Sequence, residues 1–261
     1  MLKEKTFEIT ITAKEPLRIG GKEDPLSGAD NPVTHVGGKL VIPGSSLKGA
    51  LRTEIERFFI DSYYSNGKWK EGFEYFKPCI PSDKLSADEE RLVEAGKYRD
   101  QGGNCRYPCN DKKCGNNKSH SICPVCYLLG SMGLNGFVKV PFLYAETSIN
   151  ELYSSRIDRA TKTISRGSNR PYELVPDGSV FNGTLTVLLE DTILNWKLGE
   201  SRNLGEARTL GDKWLEDNKG KVNNKKQEEF ISMYILERLK SINVLGGYKS
   251  KGFGLVQISA S

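Results

Sequence analysis

Long apolar runs are missing from this sequence. Residues Met1 to Ala13 lack the apolar core of a secretory leader, and no run elsewhere approaches the roughly 20 residues that cross a bilayer. A cytoplasmic protein with no membrane partner is therefore expected. Histidine is scarce, with two residues in 261, which counts against histidine-based acid–base chemistry. Internal repeats and low-complexity segments are also absent, which removes solenoid and disordered architectures. Charge of one sign does not dominate: 38 Lys and Arg stand against 33 Asp and Glu, a formal +5. So small an excess says less than its distribution along the chain.

A 37% hydrophobic content supports a packed core. Phe7, Ile9, Ile11 and Ala13 alternate with Glu8, Thr10 and Thr12, the pattern of a half-buried strand. A short strand at 39–42 leads to Pro43-Gly44. Ser45 or Ser46 then caps a helix with an apolar stripe of Leu47, Ala50, Leu51, Ile55, Phe58 and Phe59, ending near Asp61. Further strands are expected at 136–145, 180–190 and 255–259, with an amphipathic helix at 227–241. The principal elements read β-α-β-β-α-β. This is an α+β fold with a ferredoxin-like, RRM-like core. It forms a single domain over 1–261, with insertions at 62–135 and 146–178 too long for simple turns. Residues 195–225 are polar and glycine-containing and read as a mobile loop or weak helical insertion.

Four segments carry chemistry. In Pro43-Gly44-Ser45-Ser46-Leu47-Lys48-Gly49-Ala50-Leu51-Arg52, a helix start offers free amides and hydroxyls, with Lys48 and Arg52 four apart on one face. The spacing is not that of a Walker A loop. A phosphate contact and an ordinary capped surface helix fit about equally. In Gly246-Gly247-Tyr248-Lys249-Ser250-Lys251-Gly252-Phe253-Gly254, four glycines allow close backbone approach and two lysines add charge, while Tyr248 and Phe253 offer rings for a base. This pattern exceeds what a tight turn needs. From Arg156 to Arg170, four arginines (Arg156, Arg159, Arg166, Arg170) and Lys162 face one acid, Asp158. Such a segment is either a solvated loop or, on the sharper reading, a projecting hairpin that touches RNA phosphates.

The fourth segment is Cys105-x3-Cys109-x4-Cys114-x8-Cys123-x2-Cys126, five cysteines in 22 residues. Clustered cysteines in a reducing compartment read as metal ligands before disulfides. A structural Zn²⁺ is expected on Cys123 and Cys126 with Cys109 and Cys114, and His120 or Cys105 could replace one of the latter. Cys79, outside the cluster, reads as a spectator. Asp30, before Asn31-Pro32, is by chemistry alone a turn residue.

Together these motifs resemble the RAMP superfamily, and more closely the backbone subunit of type III (Csm-type) CRISPR effector complexes. The resembling stretches are 17–21, 28–33, 42–52, 156–159 and 246–254. The resemblance implies a protein stacked along a guide RNA (crRNA), among copies of itself or related subunits. RNA backbone would be held at Gly20, Gly21, Ser45, Ser46, Lys48, Gly49, Arg52, Gly247, Lys249, Ser250, Lys251 and Gly252. A thumb-like hairpin at 146–178 would kink the guide. It also implies an endoribonuclease that cuts complementary target RNA at Asp30 with Mg²⁺ or another divalent metal. Two alternatives stay open: a non-catalytic scaffold subunit of the same kind, and a metal-independent guide-processing ribonuclease using His35. A zinc module that binds another protein is a fourth reading. On every RNA reading the two loops of lysine and glycine are expected to meet over a sheet and grip one polynucleotide.

Overall fold

The computed structural model describes residues 1–21, 32–82, 84–99, 105–107, 121–205, 211–216 and 226–261. In chain order the elements are β1 (Leu2–Ala13), β2 (His35–Val36), β3 (Lys39–Ile42), α1 (Gly44–Tyr63), β4 (Tyr64–Ser65), β5 (Lys68–Trp69), α2 (Ala87–Glu94), α3 (Pro124–Leu129), β6 (Val138–Lys139) and β7 (Leu143–Ala145). Then come β8 (Asn150–Ser154), β9 (Arg170–Leu174), β10 (Val180–Asp191), β11 (Trp196–Lys197) and α4 (Lys213–Glu216), α5 (Gln227–Ile231), a π turn (Ser232–Leu236), α6 (Glu237–Lys240) and β12 (Val256–Ala260). The chain divides into two compact units, one of 1–6, 51–139 and 185–239, the other of 7–50, 140–184 and 240–261.

The second unit is built on a sheet in the order β12-β1-β10-β7-β3-β2. Alternation in β1 is borne out: Phe7, Ile9, Ile11 and Ala13 are all buried. Ile9 faces Ala260 and Ala13 faces Val256 in an antiparallel pair. Thr10 donates to Asn182 at 3.0 Å and Thr184 to Glu8 at 3.3 Å, a falling register that makes β10 antiparallel to β1. Taken as last, first, third and second, β12, β1, β10 and β7 are the four strands of the expected β-α-β-β-α-β core. The hairpin β2–β3 adds two strands on the β7 edge. Pro141 falls between β6 and β7, since proline cannot donate to a sheet ladder.

The first unit holds the helical core. Leu51, Ile55 and Phe59 of α1 are fully buried at i, i+4 spacing, as the stripe demands. Phe59 lies 5.5 Å from Phe76 and 5.5 Å from Tyr234, and Trp214 closes the cluster 5.4 Å from Phe76 and 5.4 Å from Tyr127. Trp214 lies on α4 within 195–225, the stretch expected to be a mobile loop or weak helical insertion. The described parts of that stretch are instead core: Leu198, Leu204, Trp214 and Leu215 are buried. Arg202 and Asp212 are also completely buried, as a fork-to-fork pair with N–O distances of 2.7 and 2.9 Å. The third arm of Arg202 donates to the Asn135 carbonyl at 3.0 Å. Its guanidinium lies over the Tyr127, Trp196 and Phe137 rings. A polar composition hid these residues because the burial of a charge depends on a partner ten residues away.

Asp212→Ala leaves the Arg202 guanidinium buried without its carboxylate. Denaturant unfolding is expected to lose about 3–5 kcal/mol. Lys39→Ala, which removes an exposed pair with Glu146, is expected to leave the unfolding midpoint essentially unchanged.

Candidate nucleic-acid interface and metal centre

The glycine-rich turn is laced to the strand end at 16–18. Gly247 N donates to Arg18 O at 2.8 Å, Gly254 N to Pro16 O at 2.9 Å, and Leu245 N to Gly254 O at 2.8 Å. Gly246 (φ +81°) and Gly254 (φ +90°) sit where a Cβ would fall 2.3 Å from Arg18 O and 2.1 Å from Leu245 O. Two of the four glycines thus serve close approach of the chain to itself, not to a ligand. Between them Lys249–Lys251 form an exposed 3₁₀ turn.

Tyr248, which enters that turn, has φ +58°. A left-handed backbone at a bulky residue costs on the order of 1–3 kcal/mol and persists only where the surroundings impose it. Its ring lies under two cations: Arg18 at 4.6 Å and Lys251 at 4.5 Å from the centroid. Tyr172 and Phe253 pack edge-on, 5.6 and 6.1 Å away. Tyr248, expected to offer a ring for a base, holds Arg18 and Lys251 here. Sequence reasoning passed over Arg18 and Tyr172. Only tertiary contact brings them here.

The α1 start presents Ser45, Ser46, Lys48 and Gly49 to solvent, with no acid in its first turn. Gly44 is required there because a Cβ would meet Val140 O at 2.5 Å. Arg52 departs from expectation. It is turned inward onto cysteine sulfurs and is not beside Lys48 on a phosphate surface. The joint grip of the two loops is also corrected. β3 and β12 run in the same direction, and α1 follows the end of β3 whereas Lys249–Lys251 precede the start of β12. Four strand spacings, about 19 Å, separate those strands. The loops lie at opposite ends of the sheet and do not form one pocket.

Residues 150–174 form the expected hairpin, β8 pairing β9 from Asn150↔Leu174 to Ser154↔Arg170. Ile157 bridges Ile164 beyond it, and both are over 60% exposed (63% and 64%). Asp158 is consumed locally. It accepts from Ala160 N and Thr161 N, both at 2.9 Å, and these bonds hold its carboxyl below the usual range. Among the described residues, Arg156, Arg159, Arg166 and Arg170 are all exposed and none is paired with a carboxylate.

Gly20 and Gly21 are bridged to 32–33, with Gly21 N donating to Pro32 O at 2.9 Å. Asp30 lies outside the described residues. His35 is exposed on β2, its Nδ1 3.1 Å from the Val33 carbonyl.

The metal centre is the clearest cluster. Cys79, Cys105, Cys123 and Cys126 are all buried, and their sulfurs lie within 4.8 Å of one another. Cys79 Sγ is 3.4 Å from Cys126 Sγ and 3.7 Å from Cys123 Sγ. A tetrahedron with Zn–S near 2.3 Å has edges of about 3.8 Å. The four sulfurs therefore fit a Zn²⁺ of the closed, structural kind. Cys123 caps α3 and Cys126 sits in its first turn, which is how CxxC spacing aims two sulfurs at one point. The expected pair Cys123 and Cys126 is there. Cys79, set aside as a spectator, is in the cluster, and Cys105, named as a possible replacement, is its fourth member. Cys109, Cys114 and His120 lie outside the described residues. As bare thiols the four do not titrate alike. Bonds to Cys105 and its neighbours push Cys79 and Cys126 well up. Burial would raise Cys123 too, but the surrounding thiols and Arg99 draw it well down. A divalent cation removes this conflict by ionising all four.

Protein purified without added metal is expected to carry about one zinc per chain. Cys79→Ser should abolish it and lower Tm, whereas Cys109→Ser and Cys114→Ser should keep it. Zinc lost on Cys114→Ser and kept on Cys79→Ser would overturn the ligand set.

No curated protein matches this chain. Among solved structures, one chain of a structure titled "Type IV-B CRISPR Complex" is similar at 14% identity and a TM-score of 0.49, covering 98% of this chain and 90% of that one. A family model described as "RAMP superfamily" matches residues 10–257, nearly the whole length. The chain belongs to the RAMP superfamily.

Proposed function

We propose that this protein is a guide-RNA-binding backbone subunit of a CRISPR effector complex. The observation that carries the reading is the strained Tyr248. Its ring fixes Lys251 of an exposed turn together with Arg18 of the neighbouring 16–18 segment, at the end of the sheet where β12 begins. Backbone strain that holds cations in place is pre-organisation for an anion. The hairpin supports it with four unpaired arginines beside two exposed isoleucines, cations for phosphate and an apolar tip for a space between bases. The α1 start gives a second phosphate contact at Ser45, Ser46 and Lys48. Gly20, Gly21, Gly49, Gly247, Ser250 and Gly252 complete the proposed backbone surface. These groups touch sugar and phosphate, which carry no sequence information, so sequence would be read by guide–target pairing. The partners are crRNA, complementary target RNA and further backbone subunits.

We further propose the type III (Csm-type) kind of complex, with Asp30 as the cleaving residue. The support is the Gly28-Ala29-Asp30-Asn31-Pro32-Val33 context. A ribose 2′-OH would attack the adjacent phosphorus in line, leaving a cyclic phosphate and a free 5′-OH. Asp30 would hold a hydrated divalent cation there or accept the 2′-OH proton.

Because Lys48 and Lys251 lie far apart, their losses should add. Lys48→Ala and Lys251→Ala are each expected to flatten the salt dependence of RNA binding by about 0.7 in slope. The double variant should show coupling below about 0.5 kcal/mol. Unchanged slopes count against both contacts. Asp30→Ala is expected to stop cleavage of complementary RNA by the assembled complex without weakening guide binding. Cleavage that persists makes the subunit a scaffold.

A further inference from the structure

Arg52 has no role in the RNA surface, yet its side chain is only 15% exposed. A buried guanidinium needs opposite charge around it. One answer is Glu56, a turn later in α1 and 2.9 Å from Nε. Glu56 is a weak answer alone. Burial pushes its carboxyl up to about 7, which Arg52 offsets only in part, and it also accepts from the Tyr98 hydroxyl at 3.2 Å. The other end of the guanidinium faces the sulfurs. Nη2 lies 3.5 Å from Cys126 Sγ, 3.6 Å from Cys79 Sγ and 3.2 Å from the Cys79 carbonyl.

We infer that Arg52 is the outer-sphere clasp of the cysteine metal centre, a positioning residue that donates to two of its metal-bound sulfurs and balances its charge. The inference rests on the four-sulfur reading. Four thiolates on a divalent cation leave a net charge of about −2, a fixed anion in a buried place. Arg52 answers one unit. Half-buried Arg99, tied to the Ser121 hydroxyl two residues before Cys123 and to the Tyr75 carbonyl, is a second cation near the cluster in sequence. N–H···S bonds also draw electron density from sulfur, so the thiolates become poorer nucleophiles and weaker bases. The guanidinium meets Glu56 with Nε and the sulfurs with Nη2 at the same time, a span that the single ammonium of lysine cannot copy.

The full-length chain is loaded with Co²⁺, whose thiolate charge-transfer bands report the number and electron richness of bound sulfurs. Chelator competition then gives metal affinity for wild type, Arg52→Lys, Arg52→Met and Glu56→Gln at one pH. Arg52→Met is expected to keep a four-sulfur spectrum with shifted bands, to bind metal about 10–100-fold more weakly, and to be alkylated faster. Arg52→Lys should fall between, and Glu56→Gln should match or exceed wild type. Wild-type affinity and band position in Arg52→Met overturn the inference. If Arg52→Met does not fold, weaker binding by Glu56→Gln than by Arg52→Lys overturns it, because the ion pair would then be the feature that matters. A wild type that takes up no cobalt sinks the four-sulfur reading instead.

Discussion

A charge taken out of water has to be met by its opposite, and the first unit is organised around two places where this happens. Arg202 and Asp212 neutralise each other completely, with every guanidinium arm engaged. Arg52 is met partly by Glu56 and partly by sulfur. Both arginines tie sequence-distant segments to one core. Arg202 joins the stretch around 212 to the aromatic wall of Tyr127 and Trp196. Arg52 joins α1 to the loop holding Cys79 and to α3. Neither tie survives the loss of one partner alone, because that strands the other charge.

In the second unit the corresponding constraint is steric. The turn before β12 closes only because Gly246 and Gly254 let backbone meet backbone. That closure drives Tyr248 into the left-handed region and its ring under Arg18 and Lys251. The cations are thus placed by the turn and not by their own side-chain preferences. Hairpin arginines have no such support. They project freely, with Asp158 diverted into shaping the tip.

Much of the fold could be read in the sequence because its signals were local. Alternation in β1, the four-residue stripe of α1 and the charge of 156–170 each depend on neighbours in the chain. The sites were legible as segments but not as contacts. CxxC spacing identified Cys123 and Cys126, since a short helix start fixes their geometry. Nothing in spacing connects Cys79 to them across 44 and 47 residues. Arg52 shares a helical face with Lys48 on paper, yet burial begins between them. Gly246 and Gly254 looked like room for a ligand, whereas that room is filled by Arg18 and Leu245. Residues 195–225 looked loose because polar side chains were counted without their partners.

The second unit's sheet ends in β2, a strand of only two residues, turned back at once by Gly37 and Gly38. So short a border offers no ladder of open amides on which another chain could zip its own strand. On that side, neighbours in an assembly would have to meet through side chains.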